Sequence, residues 1–205
     1  MIHGTFVEAV GAFGGQIDFL SSARMRKDYR PFYDFILIEP SEKGDGRFRG
    51  VTTDGYRLHM VDPLACSGDI GVEAGWWRLL KSELGESPAT GTAWMAKVVA
   101  CDLPGFPFIP NYRKVIQSGK PDFETSYCFG PAPMRWNEDL GRAIGRAFEF
   151  LQSFPEPTGI NPAHLADLGC DVWSVSWYGP QKAVVFDSCD MKAVMMPINL
   201  GNGGL

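Results

Sequence analysis

Histidine is scarce in this chain and cysteine follows no pattern. His3, His59 and His164 are the only three histidines, too scattered to form a ligand cluster. The five cysteines (Cys66, Cys101, Cys128, Cys170 and Cys189) contain no C-x-x-C pair. Neither a zinc site nor a redox motif is therefore expected, and the spacing reads as reduced thiols. No apolar run reaches the ~18 residues that a membrane-crossing helix requires. The opening MIHGTFVEAV has no basic flank and no small-residue cleavage site. No secretory leader is expected, and a cytoplasmic location is. Motifs of catalysis are missing too: there is no G-x-S-x-G elbow, phosphate-binding Walker loop, G-x-G-x-x-G turn or H-E-x-x-H helix. Cys101 or Cys189 could be combined with His164 and an aspartate into a triad, but any chain of this size permits that. A surplus of basic charge is also absent. Nineteen Lys and Arg face 24 Asp and Glu, a formal charge of −5. That argues against a simple nucleic-acid coat and leaves room for a local basic face on an acidic body.

What is present is an ordinary globular composition of 205 residues, 45% hydrophobic and 21% charged, enough to bury a sizeable core. Glycine (24) and proline (15) are plentiful, so turns are many and elements short. Phe6, Val10, Phe13, Ile17 and Leu20 repeat at helical spacing, and Thr5 with Glu8 forms a capping box. This predicts a helix from about Phe6 to Leu20. Phe35–Ile38 and Arg47–Thr53 read as a hairpin around a polar turn, with Asp54-Gly55 leading into a further strand, Arg57–Val61. Trp76–Leu84, with Trp76 or Trp77, Leu80 and Leu84 on one face, predicts a second helix ended by Gly85. Ala93–Ala100 reads as a strand.

Three prolines between Pro104 and Pro110 precede a loop-like stretch, which puts a linker at 112–122 between segments 1–111 and 123–200. Residues 201–205 form a glycine-rich tail. In the second segment Asn137 caps a helix to Leu151, with Leu140, Ile144, Ala147 and Leu151 on its apolar face. Asn161-Pro162 opens a short helix that Gly169 closes. Trp173, Val175 and Trp177 alternate with serines, a half-buried strand, and Lys182–Asp187 with Lys192–Ile198 makes a last hairpin. The fold class is α+β, two antiparallel sheets each with two helices, the second segment abbreviated.

Three distant stretches carry more information: Val51-Thr52-Thr53-Asp54-Gly55-Tyr56-Arg57-Leu58, Phe106-Pro107-Phe108-Ile109-Pro110-Asn111-Tyr112-Arg113-Lys114-Val115-Ile116, and Ala193-Val194-Met195-Met196-Pro197-Ile198-Asn199-Leu200. Together they resemble the bacterial DNA sliding clamp, the beta subunit of the replicative DNA polymerase. In that family a T-D-G-[HY]-R-L turn, an F-P-x-Y-R-x-[VL] linker and a terminal V-M-P-[MIV]-x-L strand recur in this order. Asp28–Glu39 and Ile160–Leu165 resemble further family segments. The likeness touches most of residues 5–62 and 104–200, with gaps, and matches the family's second and third domains, its first having no counterpart here. Asn199 stands where the family usually carries a basic residue.

The resemblance implies two clamp-like domains and a non-enzymatic protein without cofactor or metal. It implies a processivity factor that docks linear peptides of polymerase or clamp-loader partners. Thr53, Gly55, Tyr56, Arg57, Leu58, Pro110, Arg113, Lys114, Val115, Val194, Met195, Met196 and Pro197 would form the peptide pocket. Leu58, Val115, Val194 and Met196 would line its groove, while Arg57, Arg113 and Lys114 would make a polar rim. Double-stranded DNA would be held without sequence preference, through Arg24, Arg26, Lys27, Arg30, Arg142 and Arg146. Family rings contain six domains, so a two-domain chain would need three copies to close one. Each feature also has a plainer reading: Arg24, Arg26 and Lys27 as a solvated loop, Arg142 as the partner of Glu138, Val194–Met196 as a core strand. Two rival functions stay open, a clamp-derived binding module that does not encircle DNA, and an unrelated small α+β enzyme.

Overall fold

The computed structural model of the chain describes residues 3–6, 16, 19–23, 35–44, 46–64, 75–80, 96–100, 111–129, 140–168 and 172–198. The chain divides into two compact units, Met1–Pro110 and Asn111–Leu205.

The first unit holds strands β1 (His3–Phe6), β2 (Phe35–Pro40), β3 (Phe48–Thr53), β4 (Arg57–Val61), β5 (Gly75–Leu80) and β6 (Ala96–Ala100), in the order β1-β6-β5-β2-β3-β4. All their pairings are antiparallel. β2 lies in the interior of this sheet, and its uninterrupted Ile36-Leu37-Ile38 run is buried throughout. Ser41 to Arg47 closes the β2–β3 hairpin through Ser41 N–H to the Arg47 carbonyl at 2.8 Å, with Gly44 and Gly46 at positive φ. Glu39 and Arg49 face each other across that hairpin. The buried Arg49 pairs with Glu39 at 2.5 Å and with Glu42 at 2.8 Å, so its charge is compensated where it is desolvated.

Two expectations for this unit are corrected. The helix expected at Trp76–Leu84 is strand over Gly75–Leu80, paired with β2 on one side and β6 on the other. The 76/80 spacing that suggested a helix face is also a multiple of the strand period of two. Two flanking strands supply both rows of backbone partners, and tryptophan suits a pleated surface. Residues 81–85 lie outside the described residues. Thr5 does not cap a helix either, because it sits in the β1–β6 ladder opposite Lys97. Gln16 and residues 19–22 are helical, while the remainder of the span between Phe6 and Phe19 lies outside the described residues.

The helical end rests directly on the sheet. A Cβ on Gly50 would stand 2.8 Å from Leu20 Cδ1, and Leu20 is fully buried, so glycine permits this approach.

In the second unit β7 (Phe123–Cys128), β8 (Val172–Trp177), β9 (Val184–Ser188) and β10 (Met191–Met195) form the order β10-β9-β8-β7. β8 buries Trp173, Val175 and Trp177 and turns Val172 and Ser174 outward, as its alternation predicts. A long helix, Leu140–Gln152, covers the inner face. Its Phe150, fully buried, is ringed by Tyr127, Phe129 and Phe154 at centroid distances of 5.0 to 5.1 Å, with Phe186 at 5.9 Å. Asn137, the expected cap of this helix, lies outside the described residues. The short helix Pro162–Ala166 starts as expected: Asn161 Oδ1 accepts from Ala163 N–H at 3.0 Å, with Pro162 in the first turn. Both buried indoles find acceptors, Trp173 Nε1 on the Leu168 carbonyl at 3.2 Å and Trp177 Nε1 on Thr158 Oγ1 at 2.8 Å.

Phe150 is thus the knob that fixes the long helix to its sheet. Phe150→Ala is expected to destabilise the second unit by about 3–5 kcal/mol. Guanidinium unfolding should show this as a lowered midpoint, and a loss under about 1 kcal/mol would mean that the helix is held by other contacts.

Candidate functional site

The segment from Thr53 to Leu58 folds into a turn braced almost entirely by its own side chains. Thr53 Oγ1 donates to the Arg57 carbonyl at 2.7 Å and accepts from Gly55 N–H at 3.0 Å. Asp54 Oδ1 accepts from Tyr56 N–H and from Arg57 N–H, both at 3.0 Å, as aspartate does at the start of a turn. Gly55 takes φ of +89°, a conformation that costs a glycine nothing. Arg57 Nε meets Asp54 Oδ2 at 3.1 Å, and its Nη2 donates to the Ser22 carbonyl.

Arg57 is therefore not the rim residue expected of it: it is 8% exposed, with Nε on Asp54 and Nη2 on the Ser22 carbonyl at the helical end. Leu58, expected to line an open groove, is 3% exposed and belongs to the core. The tip of the turn is formed by Gly55 and by Tyr56, which is 60% exposed.

In the second unit, Tyr112–Lys114 makes one 3-10 turn, closed by Lys114 N–H to the Asn111 carbonyl and Val115 N–H to the Tyr112 carbonyl, both at 3.0 Å. Tyr112 is its buried root, and the Arg113 guanidinium lies 4.8 Å from the centre of the Tyr112 ring. Arg113, Lys114 and Val115 are exposed. Val194 and Met195 are buried in β10, so they offer no open surface, which corrects Val194 as a groove-lining residue. Beyond β10 the chain changes character. Met196 is 41% exposed, Pro197 is half-buried and Ile198 is 50% exposed. Ile198 N–H donates to the Gly159 carbonyl at 2.7 Å, which pins this strip beside the 155–160 loop. Pro110 lies outside the described residues.

Of the residues expected to face DNA, Arg24, Arg26, Lys27 and Arg30 lie outside the described residues. Arg142 belongs to the long helix, and its side chain is likewise not described. Arg146 is half-buried and donates from Nη1 to the Phe129 carbonyl at 3.0 Å, so it fastens the helix to the end of β7. Tyr127 completes that fastening by donating from its hydroxyl to the Arg146 carbonyl at 3.1 Å. Burial pushes the Tyr127 phenol above its ordinary value, with the Glu149 charge adding to the rise and Arg146 opposing it. It stays a donor throughout the physiological range.

Two exposed residues were missed in the sequence. Ile198 follows Met196 at the strand period of two and stands in the third stretch, but the expected pocket ended at Pro197. Phe148, 61% exposed, lies off the predicted apolar face of the long helix. Cys189 sits at the exposed β9–β10 turn with φ of +44°, and His164 stands on the short helix beside Asn161. No group of three or more His, Cys, Asp or Glu able to hold a metal exists among the described residues. Among those residues no helix is long and apolar enough to cross a membrane.

No protein-family model matches the chain, and no curated protein matches it. Solved structures do. A DNA polymerase sliding clamp from Pseudomonas aeruginosa is similar over 96% of this chain and 67% of its own, at 19% identity and a TM-score of 0.53. The pol III beta protein of Caulobacter crescentus is similar over 97% and 66%, at 14% identity and a TM-score of 0.55. The Helicobacter pylori beta clamp, solved in complex with 3,4-difluorobenzamide, is similar over 98% and 67%, at 12% identity and a TM-score of 0.58. The chain spans about two thirds of the length of these clamps and has their fold over nearly all of its own.

The Asp54–Arg57 brace makes a separable demand on stability. Arg57→Ala would remove the counter-charge from Asp54 Oδ2 and the side-chain donor from the Ser22 carbonyl, at a cost of about 3 kcal/mol. Tyr56→Ala, at the exposed tip, should change stability by less than about 0.5 kcal/mol. Thermal unfolding of both variants checks this, and equal losses would contradict the assignment of Arg57 to the scaffold.

Proposed function

We propose that this chain is a sliding-clamp-like processivity factor: a non-enzymatic scaffold that holds duplex DNA without reading its sequence and docks short linear peptides of polymerase or clamp-loader partners in the cytoplasm. The reading is supported first by the clamp fold over nearly the whole chain. It is supported also by the surface that the second unit offers. Val115, Met196 and Ile198 are large apolar side chains at 37%, 41% and 50% exposure. Two of them alternate on a strip whose backbone is pinned to Gly159. A fixed strip limits the entropy lost when a peptide docks, and methionine adapts to varied partners. Gly55 and Tyr56 offer a second exposed turn, in the first unit.

The DNA role rests on the long helix. With Arg146 tied to Phe129, Arg142 is the arginine of that helix assigned to phosphate contact. Such a contact reads charge alone and weakens with salt. The two-thirds span relative to the clamps motivates a second reading, a docking module that does not encircle DNA. In the first reading three copies would supply the six domains of a ring.

The docking reading is tested with a fluorescently labelled Gln-Leu-x-Leu-Phe peptide and purified full-length chain, by anisotropy. Met196→Lys is expected to weaken binding at least about tenfold, since it sets an ammonium into the apolar contact. Its unfolding midpoint should stay unchanged, because the side chain is already half in water. Unaltered affinity would remove the docking role. The DNA reading predicts that Arg142→Glu lowers affinity for a duplex at low salt and reduces the slope of log affinity against log salt by about 1. An unchanged slope would return Arg142 to a pairing role on the helix surface.

A further inference from the structure

The sheet of the second unit ends at β7. Among the described residues β7 pairs with β8 alone, in an unbroken register from Phe123 opposite Trp177 to Cys128 opposite Val172. The other side of the strand therefore presents a row of backbone N–H and C=O groups that no described strand takes up. Edge strands are commonly blunted by a proline, a bulge or a charge pointing inward. β7 has none of these. It reads Phe-Glu-Thr-Ser-Tyr-Cys, and its one charged residue, Glu124, lies on the exposed row with Ser126 and Cys128. Phe123, Thr125 and Tyr127 form the other row and are half-buried. The strand is also close to a palindrome about Thr125: Glu124 and Ser126 flank it, then Phe123 and Tyr127.

We infer that β7 is a homotypic interface: two copies of this chain join their β7 edges antiparallel, about a two-fold axis at Thr125, into one continuous sheet. The occupant follows from the palindrome. In this register Phe123 stands opposite Tyr127 of the partner subunit at both ends, and Thr125 meets its own equivalent. Cross-strand aromatic and threonine pairs are favourable, and both half-buried rings gain cover. Glu124 falls opposite Ser126 of the partner subunit, so no like charges face each other. The contact is isologous, uses both edges and closes at two copies. A head-to-tail joint differs, because it takes unlike edges and can continue into a ring. The docking reading is independent of this interface, since Met196–Ile198 follow β10, at the other end of this unit's strand order.

The test is sedimentation equilibrium of the full-length chain over a concentration series, with hydrogen exchange followed along the same series. A reversible passage from one chain mass to two is expected, and the amides of 123–127 should exchange more slowly as the dimer fills. Two variants fix the register. Ser126→Glu sets a carboxylate opposite Glu124 of the partner subunit at two symmetry-related places, and should weaken the dimer about fivefold or more. Ser126→Lys sets an ammonium there instead and should tighten it about threefold. Both differences should shrink at high salt. Ser126 is exposed, so neither variant should move the unfolding midpoint of the monomer. Should either fail to fold, the exchange series of the unaltered chain decides alone. A chain still monomeric at about 0.1 mM overturns the inference. So does a trimer or larger ring, or a dimer in which 123–127 exchange as fast as in the monomer. A dimer that responds alike to Ser126→Glu and Ser126→Lys overturns it too, because Glu124 would then not face position 126. None of these outcomes touches the docking reading, which is tested at Met196.

Discussion

The carbonyl groups at the end of a helix have no partner inside the helix, and burying them unpaired is costly. In the first unit this constraint is met by side chains from the sheet. Thr52 Oγ1 donates to the Leu20 carbonyl at 2.7 Å, and Arg57 Nη2 donates to that of Ser22. His59 Nδ1 lies 2.7 Å from the Phe19 carbonyl, which can only accept, so the ring carries its proton on Nδ1. The imidazole is fully buried and stacks on Phe19 at 4.1 Å and 6°. Three polar residues of one hairpin therefore replace the next turn of the helix. Leu20 can reach the sheet because position 50 carries no Cβ. The brace inside the Asp54–Arg57 turn follows from the same need, since an arginine buried to cap a helix must bring its counter-charge with it.

The second unit solves its packing with aromatic area instead. Phe150 contributes the central contact, and Phe154 extends the cluster to Trp177 by a stacked pair at 6.0 Å. Among the described residues, polar contacts tie down the surroundings of this cluster: Arg146 to the Phe129 carbonyl, Tyr127 to the Arg146 carbonyl, and the two buried indoles to their acceptors. A helix held this way keeps a fixed outer face, on which Phe148 is exposed. The strip Met196–Ile198 and the Arg113–Val115 turn are held by backbone bonds to neighbours in the same unit. Val115, Met196 and Ile198 are left exposed by this arrangement.

Local chemistry made much of this legible in the sequence. The Asp54-Gly55 turn, the Asn161-Pro162 cap, the Trp173-Val175-Trp177 alternation and the closing hairpin each depend on residues a few positions apart, and each appears where the pattern puts it. What misled was context. Gly75–Leu80 carries apolar residues at positions that both a helix face and a strand tolerate. Only its neighbours β2 and β6, distant in sequence, decide between them. Arg57 looked like a surface arginine because nothing near it in sequence marks Ser22 as its acceptor, 35 residues away. Ile198 was read as part of the last strand, and its bridge to Gly159, 39 residues away, is not visible in local pattern.

The residues that make the chain recognisable and the residues that can meet a partner are thus largely different sets. In Thr53–Leu58, Thr53, Asp54 and Arg57 build the turn and Leu58 fills the core. Val194 and Met195 do the same for β10. Such positions are constrained by the fold, whatever the protein binds. Tyr56, Val115, Met196 and Ile198 are exposed beside them, so a substitution there changes what each unit presents to solvent and leaves the packing beneath it intact.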